Sequence, residues 1–442
     1  MDLLNEKVAV LFRKFLVPSL FSAASISIFG FVDMLVIGQG VGENGVAAFS
    51  ILQTLLGVTS FVGVFMGMGT SIPMAIARGE GNREESDAIF TASLLLLSLI
   101  TVTVWAAFLI FPTQIFTLFG ANSTLMPLVM SYGKWIILTL PIFFFAIYMA
   151  CIVQADGAPG LAMFAVLLGG GFNVFGDWYL VFAADMGMSG AAIATVLGNL
   201  IQVLIFTVYI ISPRSSLKTV KLRRLKQYIK KICIAGISPG IIDIAYIILT
   251  VMLNNQVLNY GTEQELAVFG VAYTCLAMFQ RLFGGTGRAV QPIISTNFGG
   301  GKVFRIQEAL RLSVITEMAM GIIFTLIGLL LPLPLVKLFI DASPELLLIA
   351  PKIIRIFFLS FALMGVNLFA TYYFQSIMQT STATIIALLR GLIISGILIV
   401  ILPILMGIDG IWWGMVLTEL VVAVITFTGF AASKQRLSKT FC

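Results

Sequence analysis

Residues 169–182 read GGGFNVFGDWYLVF and place an amide, Asn173, and a carboxylate, Asp177, inside a long apolar run. Spaced four apart, the two share one face of a helix. A second acid, Asp33, sits in SISIFGFVDMLVIGQGVG, and Thr195 in GAAIATVLG adds a hydroxyl. The set offers carboxylate, amide and hydroxyl groups, without sulfur or imidazole. Hard cations such as Na+ prefer oxygen ligands of this kind. A desolvated carboxyl beside another can also take up a proton near neutral pH. Asp33, Asn173, Asp177 and Thr195 are therefore a candidate site for Na+ or H+, and spacing alone leaves both ions open. The competing reading is that Asn173 and Asp177 bond across helices and only lock packing.

An acid at the centre of a bilayer costs about 2.5–3.5 kcal/mol, so it should face a cavity or a partner. That setting is implied by composition. Of 442 residues, 59% are hydrophobic and 10% charged, against about 25% charged in a soluble domain. The expected class is an all-α polytopic membrane protein. Apolar runs broken by polar, Gly or Pro residues predict twelve spans: 14–38, 46–77, 88–111, 132–154, 160–183, 188–212, 232–258, 266–297, 309–331, 347–375, 381–404 and 408–431. No cleavable signal is read at the N-terminus. Leu4, Val8, Leu11 and Phe15 recur there at helical spacing among Lys7, Arg13 and Lys14, which predicts an amphipathic lead-in lying on the membrane surface.

Histidine is absent, which removes His-ligated metal sites and His proton relays. The cysteines, Cys151, Cys233, Cys275 and Cys442, form no CxxC and imply no disulfide framework. Nineteen of 26 Lys and Arg fall at the N-terminus, near 78–87, 213–231 and 298–311, and at the C-terminus. The positive-inside rule makes that set, and both termini, cytoplasmic. This distribution accounts for the net charge of +6, so no nucleic-acid partner is implied. The segment SPRSSLKTVKLRRLKQYIKK carries eight basic and no acidic residues. It reads as a solvated linker facing lipid headgroups.

Shifted by about 220 residues, the halves match. Residues 47–82 face 267–302, MGMSGAAIATVLGN at 186–199 faces MGIDGIWWGMVLTE at 406–419, and Gln154 corresponds to Gln375. Six spans per half make the repeat parallel, so two pseudo-symmetric six-helix bundles are expected: residues 1–212 and 232–442, joined by the basic cytoplasmic linker 213–231. Transporters of this build alternate the exposure of a site between their halves.

The second half holds Asp243, Glu317 and Glu419 at membrane depth, with Arg281, Arg288 and Arg390. Arg–carboxylate pairs that merely neutralise one another are one reading. The other is an acid that attracts a cationic substrate, with Asp243 favoured over Glu317. Met66, Phe143, Phe145, Tyr148, Tyr246 and Phe279 are candidates to line a pliable pocket for flat organic cations. A place in the core is the alternative for each.

The six-plus-six repeat, FVDMLVIGQGVG on the first span, QADG at 154–157, NVFGD on the fifth, GAAIAT on the sixth and GRAVQPIISTNFG at 287–299 resemble multidrug and toxic compound extrusion (MATE) transporters. The resemblance covers nearly the whole chain. It implies secondary-active efflux of amphipathic organic cations and drugs, driven by inward Na+ or H+. It assigns the cation site to Asp33, Asn173, Asp177 and Thr195, with Asp243 as the plausible acid of the seventh span. The expectation is a monomeric, multi-pass cell-membrane antiporter with Na+ preferred over H+, no cofactor beyond the coupling ion, and small-molecule and lipid partners. The rival on the same scaffold is a lipid-linked glycan flippase, which the three membrane-depth arginines favour. An intramembrane enzyme lacks histidine, paired cysteines and a GxGD motif.

Overall fold

The computed structural model describes residues 2–339 and 344–441; the side chains of 239–244, 246, 247 and 263 lie outside the described set. The chain divides into two compact units. Unit 1 is Val17–Pro239, and unit 2 combines Asp2–Leu16 with Gly240–Cys442.

Unit 1 is built from α1 (Val8–Val41, beginning in unit 2), α2 (Glu43–Gly79), α3 (Arg83–Ile110), the short α4 (Pro112–Leu118), α5 (Met126–Leu138), α6 (Leu140–Ala155), α7 (Pro159–Asp177) and α8 (Gly187–Ile211). Helix α7 runs on into a π turn, Trp178–Ala183. Unit 2 follows the same plan, with α9 (Leu225–Tyr260, beginning in unit 1), α10 (Glu263–Gly299), α11 (Val303–Leu330), α12 (Pro332–Phe339), α13 (Pro344–Leu359) and α14 (Phe361–Ser376). Next come α15 (Thr380–Leu388), a π turn at Leu389–Ile393, α16 (Ile394–Met406) and α17 (Asp409–Phe441). Among the described residues ten helical segments are long and apolar enough to cross a bilayer, and the pair α5–α6 makes eleven. Helix α9 covers the remaining expected span, 232–258.

Three features differ from the sequence expectation. The fourth span is not straight: α5 and α6 meet at 60°. Thr139 breaks it, and Pro141 in the first turn of α6 has no N–H to continue the ladder. Helix α17 runs ten residues past the expected 431 and carries the basic tail. The N-terminal lead-in is continuous with α1, and Val8, Leu11, Phe12 and Phe15 are buried in a core of unit 2 with Val290, Phe369 and Phe430. Helical spacing showed an apolar face, but not that protein rather than lipid covers it.

Each unit has its own core. In unit 1 it runs through Leu52, Met66, Phe144 and Tyr148. In unit 2 it centres on Phe269, Phe357, Phe358 and Trp412. The helices leave Leu99, Ile110, Val208, Ile211, Ile404 and Val424 exposed, the apolar outer surface a bilayer would cover.

Candidate ion-binding site

Glycines position the site. At Gly169 an added Cβ would lie 2.4 Å from the Gly198 carbonyl oxygen, and at Gly170 it would overlap the Phe29 ring at 1.9 Å. At Gly176 it would meet the Ala194 Cβ at 2.9 Å. Helix α7 therefore packs backbone-close on α8 and against α1, and only residues without a side chain allow that approach. The three helices bring their polar residues together inside unit 1.

Asp177 is fully buried and Asn173 nearly so. The Asn173 Nδ2 donates to Asp177 Oδ2 at 3.3 Å and to Thr195 Oγ1 at 3.3 Å. The Thr195 hydroxyl donates to the Ala191 carbonyl at 3.0 Å, so it accepts from both Asn173 and Tyr132, whose hydroxyl lies 3.2 Å away. The carboxyls of Asp33 on α1 and Asp177 on α7 lie close enough to interact. Asp33 Oδ1 and Asp177 Oδ1 are buried without a protein partner. The structure thus collects all four of the expected residues and adds Tyr132 from α5. No pattern in the sequence distinguishes Tyr132 from the other nine tyrosines; the bend of the fourth span accompanies its placement here. The π turn begins immediately after Asp177, and such turns recur at functional sites.

In unit 2 the polar residues are arranged differently. Arg390, in the π turn, donates from Nε to Glu419 Oε1 at 2.8 Å. Asn367 Nδ2 donates to Glu419 Oε2 at 2.7 Å and to the Glu419 carbonyl at 2.9 Å. This is the neutralising pair that the sequence reading offered as one option. Replacing Glu419 with Ala leaves Arg390 unpaired at 12% side-chain exposure, so a loss of about 3–5 kcal/mol is expected, read as an earlier thermal unfolding in detergent. Glu317 is fully buried; its carboxyl lies beside Thr286 without a well-formed hydrogen bond, and an added Cβ at Gly365 would meet Oε2 at 2.6 Å. Asp243 and Tyr246 lie on α9, with side chains outside the described residues.

The aromatic and Met candidates sit in the unit cores. Met66 and Tyr148 are fully buried, and the Tyr148 hydroxyl bonds to Ser93 at 2.5 Å. Phe143 is buried and Phe145 packs against the same core, edge-on to Tyr148. Phe279 stacks on Phe324 with centroids 3.9 Å apart. The described cysteines, Cys151, Cys233 and Cys275, form no disulfide.

Two repeated bundles of apolar helices, one holding a closed cluster of acid, amide and hydroxyl, define a polytopic membrane transporter. The chain belongs to the MatE family, whose model matches residues 18–179 and 239–402. It is similar to the multidrug export protein MepA of Staphylococcus aureus (strain MSSA476), 25% identical over 421 residues, covering 93% of this chain and 90% of that protein. MepA of Staphylococcus haemolyticus (strain JCSC1435) is 22% identical over 426 residues, covering 96% and 93%. The fold matches an outward-facing multidrug resistance MATE family transporter of the MOP superfamily with a TM-score of 0.93, at 20% identity over 99% of this chain and 98% of that one. A MATE crystallised in the bent conformation matches at 0.91, also at 20% identity and the same coverage. The protein is a transporter and not an enzyme.

Proposed function

We propose that the protein is a secondary-active antiporter that exports amphipathic organic cations in exchange for a monovalent cation held between Asp33 and Asp177. The contact of those two carboxyls inside unit 1 carries this reading. Two carboxylates brought together in an apolar span repel one another, and a proton shared between them relieves that repulsion. That favours H+ as the exchanged ion. Na+ is the second reading, supported by the two buried, unpartnered oxygens Asp33 Oδ1 and Asp177 Oδ1.

Asn173 bonds Asp177 directly, Thr195 anchors Asn173, and Tyr132 meets Thr195 from the α5 side. Cargo and ion are coupled because each binds one orientation of the transporter more tightly than the other. The multidrug export named for the staphylococcal relatives supports a drug-like cargo. The alternative of a glycan flippase is not favoured: Arg390, one of the basic residues it would use, is already neutralised by Glu419. The loop charges support cytoplasmic termini, and a monomer suffices for a site contained in one unit.

The test uses proteoliposomes and ethidium, with a pH gradient and a sodium gradient imposed separately. The reading expects ethidium movement with the pH gradient and none with sodium alone. Movement with sodium alone selects the second ion, and movement with neither overturns antiport.

A further inference from the structure

The basic segment between α8 and α9 is held in a defined shape. Asp156, buried at the end of α6, pairs with Arg78 Nη1 at 2.9 Å and accepts from Tyr209 at 2.9 Å, the Ser215 hydroxyl at 3.2 Å and the Ser216 backbone at 3.1 Å. The Ser216 hydroxyl bonds to its other oxygen. Further along, Val220 N–H donates to Thr91 Oγ1 at 3.0 Å, Leu217 is buried, and Leu222 and Tyr228 pack on the core of unit 1. Lys231 is paired with Glu85. Lys218 lies near Asp87, which accepts from its backbone. The remaining six cations, Arg214, Lys221, Arg223, Arg224, Lys226 and Lys230, are exposed and have no ion-pair partner among the described residues.

The segment that precedes α1 uses its cations in another way. There Lys302 donates to the Leu4 carbonyl at 2.9 Å, and Arg305 donates to the carbonyls of Leu3 and Glu6 at 3.0 and 2.6 Å. Those basic side chains are consumed in holding the chain. On unit 1 an acid does the holding, and the segment's own cations stay free. They also sit at a fixed height. Val208 and Ile211, just before the segment, and Ile234 and Ile237, just after it, are exposed apolar residues of helices that span the bilayer. Lys226 and Lys230, four apart on α9, share a helix face.

We propose that residues 214–230 form a docking surface for the phosphodiester headgroups of anionic phospholipid. Charge complementarity selects that occupant, because the array lies where a bilayer places its phosphates and offers no carboxylate to compete. The attraction is about fivefold per cation at an anionic surface and is screened by salt. This inference stands apart from the choice of coupling ion, since its test needs no transport.

The purified protein is placed in phosphatidylcholine vesicles, and spin-labelled phosphatidylglycerol and phosphatidylcholine compete for its surface. Wild type should select phosphatidylglycerol about fivefold or more. The variant R223Q/R224Q/K226Q/K230Q should fall below twofold, whereas K434Q/R436Q/K439Q, which removes charge from the C-terminal tail, should stay close to wild type. D156A, which frees the segment without removing a cation, should also lose selectivity. Equal selectivity in wild type and the four-residue linker variant overturns the proposal. An equal loss in the tail variant also overturns it, because general surface charge would then be the cause.

Discussion

Asp33→Asn and Asp177→Asn each bring ion-driven ethidium efflux down about 100-fold, to passive leak, a loss expected when coupling energy is removed. The amide keeps the shape of the carboxyl and can still donate a hydrogen bond to the acid across from it. What it cannot do is bind and release a proton. Either variant therefore holds the pair in its bonded state whatever the gradient. Membrane insertion and monodispersity should be unchanged, because both positions keep a polar side chain that can bond within the cluster. Thr195→Val is expected to lose about five- to tenfold, since Asn173 and Tyr132 lose their shared acceptor while both acids remain. The check is initial-rate efflux in inverted vesicles, normalised to protein in the membrane. Efflux within twofold of wild type in both Asp variants would remove the mechanism.

Asp156→Ala is expected to lower stability as much as the loss of Glu419 does. It strips the Arg78 guanidinium of its partner at 19% side-chain exposure and removes the acceptor of Tyr209, Ser215 and Ser216. A broken, partly buried ion pair of this kind costs about 3–5 kcal/mol. Four parts of unit 1 meet at this one carboxylate, the ends of α2, α6 and α8 and the linker, so the loss should appear as cooperative thermal unfolding at lower temperature. It should also appear as early proteolysis within 213–222. Asp156→Asn should be milder, because the amide oxygen still accepts. An unchanged melting temperature in the Ala variant would contradict this account of the hub.

The sequence carried the spans and the ligand types plainly, because hydropathy and the cost of a buried acid are local properties. Asp33, Asn173, Asp177 and Thr195 stood out as polar residues where none is cheap. The glycines at 169, 170 and 176 were visible, but their function, closing α7 on α8 and α1, depends on partners far apart in the chain. Tyr132 was not legible for the same reason: a tyrosine in an apolar span looks the same whether it faces core or site. Asp156 appeared only as part of QADG, with nothing to show that five donors converge on it. Arg390 could be read as free or neutralised until Asn367 and Glu419 were seen around it. Helical periodicity likewise found the apolar face of residues 8–15 without saying what covers it.

The central claim is that a proton between two helices of unit 1 and the cargo oppose one another. The direct measurement is proton release when ethidium is added to the purified transporter in weakly buffered detergent solution. The account predicts proton release that saturates with ethidium in the wild type and is absent in Asp177→Asn. Ethidium binding without proton release in the wild type, or equal release from both proteins, would contradict it.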